Sequence, residues 1–151
     1  MKKITPFLWF DGQAEEAMRF YVSIFKNSRV ISVSPGPNGA ASSVLFELEG
    51  QEFVGFNAGP MFKFNEAISF FVNCETQVEV DEFWAKLTDG GEESQCGWLK
   101  DKFGLSWQIA PAALKEWLED PDREKADRVI QAMLTMQKID IAELRRAFDG
   151  A

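Results

Sequence analysis

"ITPFLWFDGQAEEAMRFYVSIF", residues 4–25, decides how this chain is read. Ile4 to Phe10 is a β-branched and aromatic run, the composition of a strand. Asp11-Gly12 ends the run and can cap the next element. Ala14, Ala17, Met18, Tyr21 and Phe25 then recur at i, i+3, i+4, i+7 and i+11, one face of an amphipathic helix. Glu15 and Glu16 fall in its first turn, where the helix dipole favours acids.

Downstream, Arg29–Ser34, Ser43–Leu48 and Glu52–Asn57 read as strands. "PGPNGA" (35–40) and "EGQE" (49–52) separate them with turn chemistry. The last two strands, joined across Gly50-Gln51, have the pattern of a hairpin. The same order then returns. Ala67–Asn73 is a strand, and Thr76-Gln77-Val78-Glu79 is a capping box opening a helix whose apolar face is Val80, Phe83, Trp84 and Leu87. Gly90-Gly91 stops that helix. Short strands follow at Glu92–Gln95, Gly97–Lys100 and Leu105–Ala110, with "KDKFG" (100–104) as the last turn. Laid over 67–88 without a gap, residues 4–25 bring Phe7 onto Phe70, Glu16 onto Glu79 and Ile24 onto Leu87. The element order repeats as well, which favours an internal repeat over chance similarity. Pro111 suits a first helical turn, and the rest is helical. Leu114, Trp117 and Leu118 give one short face, and Asp120-Pro121 restarts a helix. Asp140 and Glu143 form a box-like cap, with Ile139 and Leu144 placed as a staple.

The 151 residues fit one domain, with module one at 1–60, module two at 66–110 and a helical extension at 111–151. The 14 Phe and 5 Trp supply a large core, so stability needs neither disulfide nor metal. The formal net charge of −8 repels phosphate backbones, which excludes nucleic acid, and no basic cluster points to a membrane surface. The apolar run after the two N-terminal lysines is too short for a signal peptide, and nowhere are about 18 apolar residues consecutive. Cys74 and Cys96 form no CxxC pattern, as expected of reduced thiols in the cytoplasm. The chain has no histidine, which removes the Ser-His-Asp and Cys-His mechanisms and the usual zinc sites.

Two β-α-β-β-β modules resemble the glyoxalase/bleomycin-resistance, or vicinal oxygen chelate, superfamily. Residues 4–25, "NAGPMFKFNEAISFFV" (57–72), "QCGWLKDKFGLSWQIAP" (95–111) and "KADRVIQAMLTMQKIDIAEL" (125–144) resemble its PhnB-like group, which carries the label 3-demethylubiquinone-9 3-methyltransferase. The resemblance implies an α+β fold in which two half-open sheets enclose a cleft, and a homodimer. It also implies metal-ligand slots on the first and last strand of each module. The final strand's carboxylate slot falls on Gln108, and the first strand's histidine slot on Thr5 or Pro6. The second module's histidine slot falls on Ala67 or Ser69, and the first module's acidic slot near Gly55 to Asn57. None holds an imidazole or a carboxylate, so no metal and no cofactor is expected.

The cleft is then expected to hold a small, mostly apolar or aromatic molecule. Trp9, Phe62, Phe64 and Trp98 would supply ring area, Asn57 and Gln108 would orient it, and Cys96 would lie nearby. Each of these residues has a plainer reading. Gln108 alternates with Trp107 and Ile109, and can face the cleft or satisfy a neighbouring backbone group. Cys96, beside Gly97, has no histidine to activate it and reads as a small hydrophobe. Glu66 could act as a general base, or stand as a rim carboxylate. Met61, Phe62 and Phe64 around Lys63 could wall a pocket or pack across a dimer interface. An enzyme remains the rival: a metal-dependent lyase or isomerase, or the methyltransferase of the label. No glycine-rich strand-to-helix turn of the GxGxxG kind supports the latter.

Overall fold

Parallel pairing of first and last strands organises the computed structural model, which describes residues 1–151. Two units divide the chain, Met1–Phe64 and Asn65–Ala151. In the first, β1 (Phe7–Phe10) leads into α1 (Ala14–Ile24), followed by β2 (Ser28–Pro35), β3 (Ala41–Leu48) and β4 (Gln51–Asn57). The sheet order is β1-β4-β3-β2, with β1 parallel to β4 and the other pairs antiparallel. The second unit repeats this with β5 (Ser69–Cys74), α2 (Gln77–Thr88), β6 (Glu92–Glu93), β7 (Trp98–Lys100) and β8 (Ser106–Pro111) in the order β5-β8-β7-β6. It continues through α3 (Leu114–Leu118), α4 (Arg123–Met133) and α5 (Ile141–Asp149). The expected α+β class with two β-α-β-β-β units and C-terminal helices is the one observed.

Each unit buries one face of its sheet under its helix. In the first, Leu8, Phe10, Val44, Phe46, Leu48 and Phe53 are buried with Ala14, Ala17, Met18, Tyr21 and Ile24 of α1. Tyr21 stacks on Phe46, and Phe46 on Phe53. In the second, Cys74, Leu99, Trp107 and Ile109 are buried with Val80, Trp84 and Leu87 of α2. Alternation along a strand sends the residues between them to the opposite face.

The two units match, but not in the gap-free register. Residues 11–13 separate β1 from α1, whereas only residues 75 and 76 separate β5 from α2. The helices therefore superpose as expected, with Ile24 on Leu87, while the strands slip by one. Phe7 corresponds to Phe71 rather than Phe70, and both are exposed, at 62% and 46%. A one-residue slip exchanges the two faces of a strand, so this correction decides which side chains share a surface.

Other local expectations fared according to how local their causes are. Thr76 caps α2 by accepting from Glu79 N, and Asp140 caps α5 by accepting from Glu143 N. The Glu79 carboxylate reaches back to Glu75 N. Asp11-Gly12 does not cap α1; Gln13 is its N-cap residue without a side-chain bond, and Ala14 N donates to Asn57 Oδ1 at 2.9 Å. The β3–β4 turn is Glu49-Gly50, both with positive φ, and Gln51 already pairs with Leu48. Pro111 does not open a helix but closes β8 opposite Cys74. The ladder with β7 runs to Gln108, with a last bond from Ile109 N to Gly97 O, and does not reach Pro111, so no ladder partner on that side needs the missing proline N–H.

Asp101 holds the β7–β8 connection. Although 3% exposed, it accepts from Phe103 N (2.8 Å) and Leu105 N (3.1 Å) through Oδ1, and from Trp107 Nε1 (2.9 Å) through Oδ2. These bonds pin the Trp107 ring to the helix side, which sends Gln108 to the other face. The extension is bound in similarly. Gln77 donates from Nε2 to Ile139 O and accepts from Ile141 N, and Leu114, Trp117, Val129, Met136, Ile139 and Leu144 form a core with Ala110. Replacing Asp101 with Ala leaves two amides and an indole N–H short of a buried acceptor. A loss of about 2–4 kcal/mol is expected, read as a fall in melting temperature of roughly 5–15 °C by calorimetry.

Candidate functional site

The sheet faces not covered by α1 and α2 carry four of the seven candidate residues, Trp9, Phe62, Trp98 and Gln108. In the first unit this face is aromatic. Phe7 lies 5.4 Å and Trp9 5.8 Å from the Phe56 ring, and Trp9 meets Phe62 edge-on at 4.9 Å. The Trp9 indole donates to Gly59 O at 2.9 Å, which fixes the ring and ties down the segment carrying Phe62. Phe62 remains 60% exposed, a large ring surface without cover.

In the second unit the same face is mixed. Strand pairing lines up Ser69 with Ser106, Phe71 with Gln108, and Gln108 with Trp98. Gln108 Nε2 donates to Ser69 Oγ at 2.9 Å. Two slots that the resemblance assigns to metal ligands thus lie within bonding distance, and the pairing selects Ser69 over Ala67. The structural counterpart of Gln108 in the first unit is Val54, since Phe7 pairs with Val54 as Phe71 pairs with Gln108. This places the first unit's slot one residue before the expected Gly55–Asn57. Thr5, the counterpart of Ser69, donates its hydroxyl to Lys2 O.

Neither the hydroxyl and isopropyl group of the first unit, Thr5 and Val54, nor the hydroxyl and amide of the second, Ser69 and Gln108, fit a divalent ion. Such an ion is held by anionic or imidazole donors that offset its dehydration. No group of three or more His, Cys, Asp or Glu gathers anywhere in the fold. Glu66, the nearest acid considered as a base, is ion-paired with Lys100. Its hydrogen bond to that ammonium holds its carboxyl below the usual value, and the same bond raises Lys100. The lowered group is a poor proton acceptor near neutrality. Beside the Ser69–Gln108 pair, Ser106 Oγ is buried with no hydrogen-bond partner.

The proposed ligand residues therefore divide. Trp9 and Phe62 share one open face, and Trp98 and Gln108 share the other. Asn57 stands on the helix side of its sheet with both ends of its amide engaged, accepting from Ala14 N and donating to Ala41 O. Phe64 packs edge-on against the buried Phe10 at 5.3 Å. Cys96 adopts φ +59°, and its N–H donates to Met136 O, so it belongs to the seam with the extension. Gly97 beside it has φ +83°, and a Cβ there would lie 2.7 Å from Ile109 O, which explains why glycine occupies that turn. Phe7, Phe56 and Phe71 were not anticipated on the open faces. The alternation of exposure along "FLWF" and "SFFVNC" is hidden in sequence because both faces are aromatic.

Residues 2–110 match the family described as 3-demethylubiquinone-9 3-methyltransferase. The chain belongs to this family. Among solved structures, a PhnB protein from Bacillus cereus is 38% identical, aligned over 74% of this chain and all of its own, with a TM-score of 0.70. FosX from Listeria monocytogenes, crystallised with Mn(II) and sulfate, is 19% identical over 79% of this chain and all of its own, at a TM-score of 0.57. Protein PA1353 from Pseudomonas aeruginosa is 17% identical over 74% of this chain and 98% of its own, at 0.59. The last two share the fold alone. No curated protein matches the chain. This PhnB-like chain is a member of the glyoxalase/bleomycin-resistance superfamily.

Two measurements check this geometry. The Glu66 carboxyl should titrate below its ordinary 4.5 by carbon-detected NMR and rise toward it in Lys100→Met. A depressed pKa means the carboxylate form is favoured, so the pair holds above the ordinary glutamate range and is lost as pH falls through the lowered value. Cys74, whose thiol is pushed up to about 12, mainly by burial, should resist iodoacetamide at pH 8 until the protein is unfolded, as read by mass spectrometry.

Proposed function

We propose that this PhnB-like protein binds a small, mostly apolar or aromatic molecule without a metal ion. The observation that carries this reading is the Gln108–Ser69 hydrogen bond, neutral groups bonded to each other where the resemblance calls for metal ligands. The open faces offer rings for contact area, from Trp9, Phe62 and Trp98. The Gln108 amide keeps its carbonyl oxygen and second N–H for orienting a guest. Asn57, Phe64 and Cys96 support these surfaces from behind rather than touching the guest. The reading treats residues 1–151 as one functional domain, a homodimer working in the cytoplasm, with neither nucleic acid nor membrane as partner.

The methyltransferase of the family description asks for a nucleotide-like cofactor. The strand-to-helix turns that would cradle one are Asp11-Gly12-Gln13 and Glu75-Thr76, and the amides behind them are taken by Asn57 and Thr76. Titration calorimetry with S-adenosylmethionine and with Mn²⁺, Ni²⁺ and Zn²⁺ should give no saturable binding in the micromolar range. A thermal-shift screen of aromatic and apolar small molecules should give stabilising hits that Gln108→Leu weakens without lowering the apo melting temperature. A stoichiometric ion, or micromolar S-adenosylmethionine, would overturn the proposal.

A further inference from the structure

The open face of the second unit continues past Gln108 into a groove of about 470 Å³. One wall is β5, through Phe71 and Asn73; the other is α3, through Leu114, Lys115, Leu118 and Glu119. The α3 wall stands after residue 110, where the family match ends. It is held from behind. Ala112 N donates to Cys74 O, and Leu114 and Trp117 sit in the core with Val129, Ile139 and Leu144. Trp117 stacks on Phe148 at 6.1 Å, and the Arg145 guanidinium lies 5.6 Å from the Trp117 ring centroid. The groove is therefore preformed by an element outside the stretch that defines the family.

Its chemistry selects a class of occupant. The walls are apolar at Phe71, Leu114 and Leu118. The two charges on the rim, Lys115 and Glu119, pair with each other at 3.5 Å one helical turn apart, so they leave no net charge to attract an ion. Asn73 adds an exposed amide that can both donate and accept. The volume is that of a small-molecule site. We propose that the β5–α3 groove is the selectivity pocket of this protein, taking the apolar body of a neutral small molecule and reading through Asn73 a polar group of the guest other than the one Gln108 orients. This rests on the metal-free ligand-binding reading above and adds to it which part of the chain chooses the guest.

The full chain is titrated with the neutral fluorophore N-phenyl-1-naphthylamine, alongside Asn73→Trp, Leu118→Gln, Gln108→Trp and Val78→Trp. Asn73 and Val78 are both exposed, so neither tryptophan disturbs the core, and only Asn73 faces the groove. Saturable binding that Asn73→Trp weakens by about tenfold or more, with an unchanged melting temperature, is expected. Leu118→Gln should weaken it in the same direction, and Val78→Trp should leave it unchanged. Binding abolished by Gln108→Trp but indifferent to Asn73→Trp and Leu118→Gln would overturn the groove assignment while leaving the broader reading intact. Fluorescence that rises only with self-association, followed by sedimentation velocity, would show a second copy of the chain in the groove and overturn it. No saturable signal at all would overturn both.

Discussion

In each unit the first strand must lie parallel beside the last, and the rest of the structure depends on that pairing. A parallel pair cannot be closed by a tight turn, so a helix has to be carried between the two strands. That helix covers one face of the sheet and leaves the other bare. Side-chain parity along β8 then decides what the bare face displays. Trp107 and Ile109 go under α2, Trp107 being held there by Asp101, and Gln108 goes to the open side. The parallel register with β5 brings Ser69 alongside, and the two side chains bond.

This geometry gives the open face its electrostatic character. The chain is acidic overall, at −8, but three carboxylates of the second unit are engaged away from the Ser69–Gln108 pair. Asp101 is consumed by a turn, Glu66 by Lys100, and Glu119 by Lys115. At the position where a metal-binding relative of this fold would concentrate negative charge, the chain presents an amide and a hydroxyl. Neutral donors of this kind orient a guest through one or two hydrogen bonds, while binding strength comes from ring and aliphatic area. The first unit's open face differs in being aromatic throughout, with Phe7, Trp9, Phe56 and Phe62.

How much was legible in the sequence depends on how far apart the interacting residues are. Thr76 and Asp140 could be recognised as caps because the amides they serve lie three residues on. The start of α1 could not, because its acceptor, Asn57, is 43 residues away. Pro111 satisfied the local geometry of a helix start, and only its parallel pairing with Cys74, 37 residues away, shows that the chain is still a strand there. The internal repeat was visible in the helices but misaligned in the strands, since one extra loop residue separates β1 from α1. With aromatic residues on both faces of "FLWF", no break in hydrophobicity marks the slip. The correct parity of Phe71 and Phe7 therefore emerged only from pairing and burial, and with it the open faces. The groove against α3 was invisible for a similar reason: Asn73 and Leu118 meet only after the extension has packed on the sheet.

The central claim is that Gln108 and Ser69 serve each other and a neutral guest rather than an ion. Crystals grown in millimolar Mn²⁺ and measured at a wavelength where manganese scatters anomalously test it directly. The account predicts no anomalous peak within coordination distance of Gln108 and an intact bond from its amide to Ser69. A strong peak about 2–2.3 Å from the Gln108 oxygen, shared with two or more further side chains, would contradict it.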